Sequence, residues 1–496
     1  MNIKPTYEEA ACYAGSYGVV PLSLEVYSDM ETPITLFKRF QKNDYCFLLE
    51  SVEGGEKWGR YSFLGRNPFL TVESRQGVSR IRNERTGVTS EVKGNPVETL
   101  HGILEKYRSP SGPDLPRFNG GAVGFFGYDL IRYYECLPNT PKDDLMLPES
   151  HFMFTDEVLV CDHFKQKLHI IVNMHMGPDI QKQYNVAAQR IMEIYNEITS
   201  TRGTLAGSPA RPQKSGAGKQ EYTSNVSKEQ FCANVTRAKE YIRNGDIFQV
   251  VLSQRLCVES KEDPFDVYRV LRVLNPSPYM YFLKFNNYYV VGASPEMLTR
   301  IEDSKVETCP IAGTRKRGQN PEQDDALALE LLADEKELAE HRMLVDLSRN
   351  DLGRVCDFGT VQVKDPLHVE RYSHVMHIVT NVNGRLRKDK TPFDALMSVL
   401  PAGTLSGAPK IRAMEIIDEM ETVKRGTYGG AIGYLSFNGN LDSCITIRTI
   451  LFKNNKAYVQ SGAGIVADSV PETEYEETLN KARALLKALA EAGEIQ

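Results

Sequence analysis

Strand-like and helix-like runs alternate along this chain without a regular βαβ period, an order that favours an α+β fold over a doubly wound parallel sheet. FLLESV, FLTVES, VLVCDHF and LHIIVNM read as strands in the first part, with a helix over Tyr184–Ile198. The stretch Ser200–Gln220, rich in Gly, Ser, Pro and Ala, has no apolar period and reads as a linker or surface excursion. A helix restarts after it: Ser227 and Gln230 form a capping-box pattern, Phe231, Val235, Ala238 and Ile242 keep helical spacing, and Gly245 stops it. Strand-like runs follow (IFQVVLSQRLCV, YMYFLKF, YYVVGAS), and the chain closes on a long helix with Tyr475, Leu479, Ala482, Leu486 and Leu489 as its apolar stripe. At 496 residues the chain exceeds what a single core normally fills. The expected organisation is an N-terminal part over 1–200, a linker over 201–222 and a second part over 223–496.

Two acidic pairs on helical segments concentrate charge. Glu337-x-x-Glu340 and Glu474-x-x-Glu477 each place two carboxylates on one helix face, and Lys481 shares the face of Glu477. Brought together, two such faces make a nest of the kind that holds Mg2+ against an anionic substrate. Spacing alone describes a solvated helix face equally well.

Composition narrows the classes. A net charge of −6 and a pI near 6.0 argue against nucleic-acid binding. No run approaches eighteen apolar residues, and MNIKPTYEEAACYAGSYG has neither the apolar core of a signal peptide nor the acid-poor composition of a transit peptide, so no membrane association is expected. The nine cysteines are scattered without a C-x-x-C, which fits reduced thiols and a cytoplasmic protein. None sits in a G-x-C-x-G turn, so the chain has no glutaminase nucleophile of that kind. PAGTLSGAPK superficially resembles a phosphate loop, but Pro409 precedes Lys410 and Ile411 stands where a magnesium-binding hydroxyl belongs. GGAVGFFGYD lacks the start of a dinucleotide fingerprint, and its glycines read as a site of close strand packing. QSGAGIV reads either as a hairpin turn or as a backbone cradle for a carboxylate.

Taken in order, PIAGTRKRG, ELAEHRMLVDLSRND, SHVMHIVTNVNG, PAGTLSGAPKIRAMEIIDEME, RGTYGGAIGY, ITIRT, SGAGIV and PETEYEETLNKA resemble the chorismate-utilising enzymes over essentially all of residues 225–490. The N-terminal segments FLLESVEGGEKWGRYSFLG and GGAVGFFGYD resemble the anthranilate-forming branch. The resemblance implies a four-layer α+β fold of two packed, largely antiparallel sheets with helices outside. It also implies a Mg2+ site at Glu340 and Glu477, with Glu337 and Glu474 nearby. It places the enolpyruvyl carboxylate of chorismate at Tyr428, Arg448 and the Gly462-Ala463-Gly464 backbone, with Lys481 adding charge and Gly313 and Thr314 lining the site. His377 is implied to assist departure of the ring hydroxyl, Glu296 is a second candidate for the acid, and Thr404 is implied to position the substrate or these groups.

Two positions separate the reactions within the family. Aminodeoxychorismate synthases of the common bacterial type carry a nucleophilic lysine in P-I-K-G-T, where this chain has Ala312. Isochorismate and salicylate synthases carry a water-activating lysine, where this chain has Gln249. Neither residue attacks or activates water, whereas ammonia is already a nucleophile. The implied activity is amination of chorismate followed by pyruvate elimination to anthranilate, a step of tryptophan biosynthesis. Ammonia is expected from a separate glutamine amidotransferase subunit, in a heterotetramer with two of each chain. LLES and NPSPYMYF resemble the halves of the family's tryptophan feedback site, which implies Ser51, Pro278, Tyr279 and Met280, with Glu50 and Lys57 beside them. The alternatives are an aminodeoxychorismate synthase that works without the lysine and a non-catalytic amino-acid sensor on the same fold.

Overall fold

A computed structural model describes residues 2–28, 31–52, 59–200, 221–371 and 375–494. Lys57, and all of the expected linker except Glu221 and Tyr222, lie outside the described residues.

Two large sheets dominate, and the named strand pairs are antiparallel. In the first, Tyr45–Glu50 pairs with Tyr279–Phe285, and farther along Lys456–Ile465 pairs with Gln249–Glu259. In the second, Gly121–Phe126 pairs with Ala431–Ser436, and Ile311–Lys316 pairs with Val375–Arg385. Each sheet therefore draws strands from both sides of residues 201–220 and is completed only by pairing across the two parts.

The layers follow from three apolar clusters. Phe47, Phe63 and Tyr281 of one sheet meet Val123, Phe125 and Ile432 of the other, which fixes the inter-sheet core. Fully burying one such phenylalanine contributes about 1.5–3 kcal/mol. The outer face of the first sheet is covered by helices Ile180–Ser200, Pro264–Leu274 and Pro471–Glu491. The outer face of the second is covered by Pro96–Leu104, Glu335–Gly353 and Pro392–Val399. The result is helix, sheet, sheet, helix, an α+β fold. Among the described residues no helix is long and apolar enough to cross a membrane.

Close strand packing accounts for the glycines of GGAVGFFGYD. A Cβ at Gly124 would stand 2.0 Å from the His151 carbonyl oxygen, and one at Gly121 would stand 2.1 Å from that of Leu435.

One local expectation is corrected, and the apolar stripe of the last helix is found packed against the core as expected. Ser227 caps helix Lys228–Arg243 by accepting from the Gln230 N–H at 3.2 Å, but the Gln230 side chain donates to Asn234 instead of closing the box. In helix Pro471–Glu491 the buried face runs through Thr478, Ala482, Leu485, Ala488 and Leu489, while Tyr475, Leu479 and Leu486 are half-buried. Thr478 can be buried because its hydroxyl accepts from Gln254 at 2.6 Å and donates to the Tyr475 carbonyl at 2.7 Å. Glu474, Glu477 and Lys481 lie together on another face, which lines the cavity described next.

Candidate active site

A cavity of about 620 Å3 opens where strands Gln249–Glu259 and Lys456–Ile465 of one sheet approach Ile311–Lys316 and Val375–Arg385 of the other. Helix Glu335–Gly353 brings Glu337 and Glu340 to it, and helix Pro471–Glu491 brings Glu474, Glu477 and Lys481. The two acidic pairs therefore line one space, although they belong to helices packed on different sheets.

Their electrostatics are those of crowded, incompletely compensated anions. Burial, then Glu340, then Asp334 raise the Glu337 carboxyl above its usual range. Burial raises Glu474, with Glu477 adding to it against a hydrogen bond from Ser469. Lys481 Nζ bridges Glu477 at 2.7 Å and the Gly462 carbonyl at 3.0 Å. Gln249 Nε2 donates to Glu340 at 3.3 Å. No group of three or more acidic, His or Cys side chains is already gathered as a metal cluster among the described residues. Mg2+ needs no such cage, since it keeps waters and takes one or two carboxylates together with substrate oxygens. The donor set and its mutual repulsion fit that cation.

On the opposite wall, Gly313 sits at an irregularity in the pairing of its strand with Val375–Arg385, with φ of 67°, a conformation glycine tolerates. Its carbonyl accepts from His377 Nδ1 at 2.9 Å, and Thr314 Oγ1 lies 3.1 Å from the same nitrogen. A carbonyl only accepts, so Nδ1 carries the proton and the lone pair of the neutral ring is on Nε2. Burial holds the His377 pKa below its ordinary value, and this outweighs the Gly313 hydrogen bond. Glu296 is shielded more deeply: burial pushes its carboxyl up to about 8, although Thr404 Oγ1 donates to it at 3.1 Å.

Arg448 and Tyr428 complete the cationic side, with the Arg448 guanidinium donating to the Lys481 carbonyl. Gly462 and Gly464 line the cavity. Ala463 does not, because alternation along the strand turns its methyl into an apolar cluster with Val250 and Leu252. Gln249 is 5% exposed, and its Oε1 has no hydrogen-bond partner among the described residues.

Sequence reasoning missed Arg425. It is buried against Glu421 at 2.7 Å, donates to the carbonyls of Leu405 and Val251, and lies over the Tyr428 ring at 5.6 Å. It thereby fixes three residues of the cavity wall. Its position at the head of RGTYGG, three residues before Tyr428, was the available signal.

A profile described as chorismate binding enzyme matches residues 45–487. The chain belongs to this family. The component 1 of anthranilate synthase from Acetivibrio thermocellus is 67% identical over 492 residues, covering 99% of both chains. The protein of the same name from Aquifex aeolicus is 44% identical over the full length of both. Among solved structures, anthranilate synthase component I of Streptococcus pneumoniae superposes with a TM-score of 0.77 at 40% identity, covering 93% of this chain and 99% of that one. The menaquinone-specific isochorismate synthase of Escherichia coli shares the fold, with a TM-score of 0.71 at 19% identity over 97% of this chain and 98% of that one.

A second void lies between the sheets. Glu50, Ser51, Pro278, Tyr279 and Met280 line it together, with Arg300, Tyr434 and Asp442. Tyr279 donates to Asp442 at 2.9 Å, and Arg300 reaches both the Tyr279 hydroxyl and the Asp442 carboxylate. The Glu50 carboxylate is engaged by the Tyr268 hydroxyl at 2.5 Å and by Arg272 at 3.2 Å.

Proposed function

We infer that this chain aminates chorismate with ammonia and eliminates pyruvate to give anthranilate. The observation that carries the reading is one cavity holding the four glutamates, the Arg448–Tyr428–Lys481 side and a buried acid, with Ala312 and Gln249 where a nucleophile or a water-activating base would stand. Arg448 suits a carboxylate because its planar fork matches the two oxygens. Glu340 and Glu477 would hold Mg2+, with Glu337 and Glu474 nearby. When bound, Mg2+ neutralises the ring carboxylate and withdraws electron density from the ring. Glu296, protonated at neutral pH, gives its proton to the departing ring hydroxyl, and Thr404 orients it. The lone pair of His377 Nε2 then takes the ring proton as pyruvate leaves. Gln249 Oε1, facing ammonia as an acceptor, orients the nucleophile without deprotonating it.

Incubating the chain with chorismate, Mg2+ and ammonium should give anthranilate fluorescence and pyruvate in equal amounts. An aminated product that retains the enolpyruvyl group would support the aminodeoxychorismate alternative, and no turnover would support the sensor. The relatives' name, component 1, implies a second component, which we assign as a glutamine amidotransferase in a complex with two of each chain. The isolated chain should use high ammonium and not glutamine. Glutamine-dependent activity of the pure chain would sink that assignment.

We assign the void around Ser51 and Tyr279 to tryptophan as a feedback inhibitor, with Lys57 beside it by resemblance alone. Coupling between the two sites is expected at about 1–3 kcal/mol. Ser51→Phe fills the void and should leave uninhibited turnover near wild type while raising the half-inhibitory tryptophan concentration at least about tenfold. Unchanged inhibition in that variant would remove the site assignment.

A further inference from the structure

Glu296 has a second space behind it. A void of about 40 Å3 shares Glu296, Thr404 and Leu344 with the active-site cavity and continues past Thr308 to Ser348 and Asp351 on helix Glu335–Gly353. A buried water needs at least about 10–15 Å3 and two to four polar partners, so the void has room for two or three. Partners are present along it. Thr404 reaches Glu296, Thr308 Oγ1 bonds the Leu298 carbonyl at 2.9 Å, and Asp351 is paired with Lys410 at 2.9 Å. Ser348 lines the void and is partly exposed on the helix surface, the side from which solvent could reach it.

The two-step reaction uses the acid twice. As ammonia forms the new C–N bond the ring double bonds shift, the C–O bond to the hydroxyl breaks, and the proton of Glu296 leaves with that oxygen as water. Glu296 is then a carboxylate, while the aminated intermediate still fills the cavity in front of it. In the second step His377 takes the ring proton, the C–O bond to the enolpyruvyl group breaks, and the reloaded Glu296 protonates the departing enolpyruvate to give pyruvate. The protons shed to solvent by the newly bonded ammonium nitrogen and by His377 balance the two that Glu296 gives.

We propose that the void behind Glu296 is a water-filled relay, which returns a proton to it and carries off the expelled water while the intermediate occupies the cavity. This rests on Glu296 being the acid. Ser348→Leu fills part of the void from a partly exposed position. In that variant kcat for anthranilate should fall about tenfold, kcat/KM for chorismate should hold, and the solvent deuterium effect on kcat should rise. Rapid quenching should trap the aminated intermediate that still carries its enolpyruvyl group. The same changes should appear with ammonium and with glutamine plus the amidotransferase.

Unchanged kcat and isotope effect would overturn the relay. So would kcat and kcat/KM falling together, which marks a packing defect. Loss confined to glutamine-driven turnover would overturn it too, by making the void an ammonia passage. Glu296→Gln measured alongside separates the two readings: near-wild-type turnover there removes the acid assignment itself, whatever Ser348→Leu does.

Discussion

Glu296→Gln should lower kcat for anthranilate by about 10²–10⁴-fold, the usual contribution of a positioned general acid, while chorismate still binds. The glutamine keeps the shape of the side chain and can still accept from Thr404, but it has no acidic proton to give. The pH dependence has a definite sign. Burial raises the Glu296 pKa to about 8, so the acid is loaded at neutral pH and wild-type kcat should decline as pH rises through that value. Stability should move the opposite way on substitution. A carboxyl with a pKa of 4.5 unfolded and about 8 folded binds more protons in the native state between those values. The wild type therefore loses stability as pH rises from 4.5 toward 8, and the glutamine variant is spared that loss. Each pKa unit is worth about 1.4 kcal/mol, so the difference in unfolding free energy at pH 8 should be a few kcal/mol in favour of Glu296→Gln. A variant that melts higher and turns over slower is a signature that damaged packing does not produce. Turnover near wild type would transfer the acid role to another group.

The chemistry of this site was more legible in the sequence than its placement. The spacing of Glu337 with Glu340 and of Glu474 with Glu477 gave two carboxylate faces, but nothing local says that helices on different sheets aim them at one space. That depends on sheet pairings such as Tyr45–Glu50 with Tyr279–Phe285, partners too distant in sequence for local pattern to report. The same pairings explain how strands from both sides of residues 201–220 share both sheets. Alternation along the strand turns the Ala463 methyl away from the side that Gly462 and Gly464 line, so Ala463 can take part only through its backbone, as the resemblance implies. Glu296 and His377 were recognisable as acid–base candidates, but dividing the roles required the Gly313 carbonyl that fixes the imidazole tautomer and the burial that keeps the carboxyl protonated. Neither is encoded within a few residues of the group it controls.

The second large effect is expected at the paired acids. Glu340→Gln and Glu477→Gln should each lower kcat/KM for chorismate by about 10²–10³-fold at a fixed, moderate Mg2+ concentration, the scale of several kcal/mol of charge stabilisation. Chelation with EDTA should abolish wild-type activity, and added Mg2+ should restore it. Glu337→Gln should cost less, because the resemblance places Glu337 beside the cation and gives the principal ligand roles to Glu340 and Glu477. A readout independent of turnover comes from titrating Mn2+ in place of Mg2+ by electron paramagnetic resonance, which should give at least about tenfold weaker binding in either variant. The metal-free protein offers a check of opposite sign. Glu340 is one of the groups that raise the Glu337 pKa, so neutralising it removes like-charge repulsion inside the cavity. Metal-free Glu340→Gln should therefore be at least as stable as the metal-free wild type, and added Mg2+ should stabilise it less, since a ligand stabilises only in proportion to its binding. If both variants bound Mn2+ like the wild type and lost activity only through unfolding, the glutamates would be ordinary helix-face acids and the cation would have to be held elsewhere. Loss of Mn2+ binding in a protein that stays folded and no less stable without metal is the outcome expected of carboxylates kept close together to hold a cation.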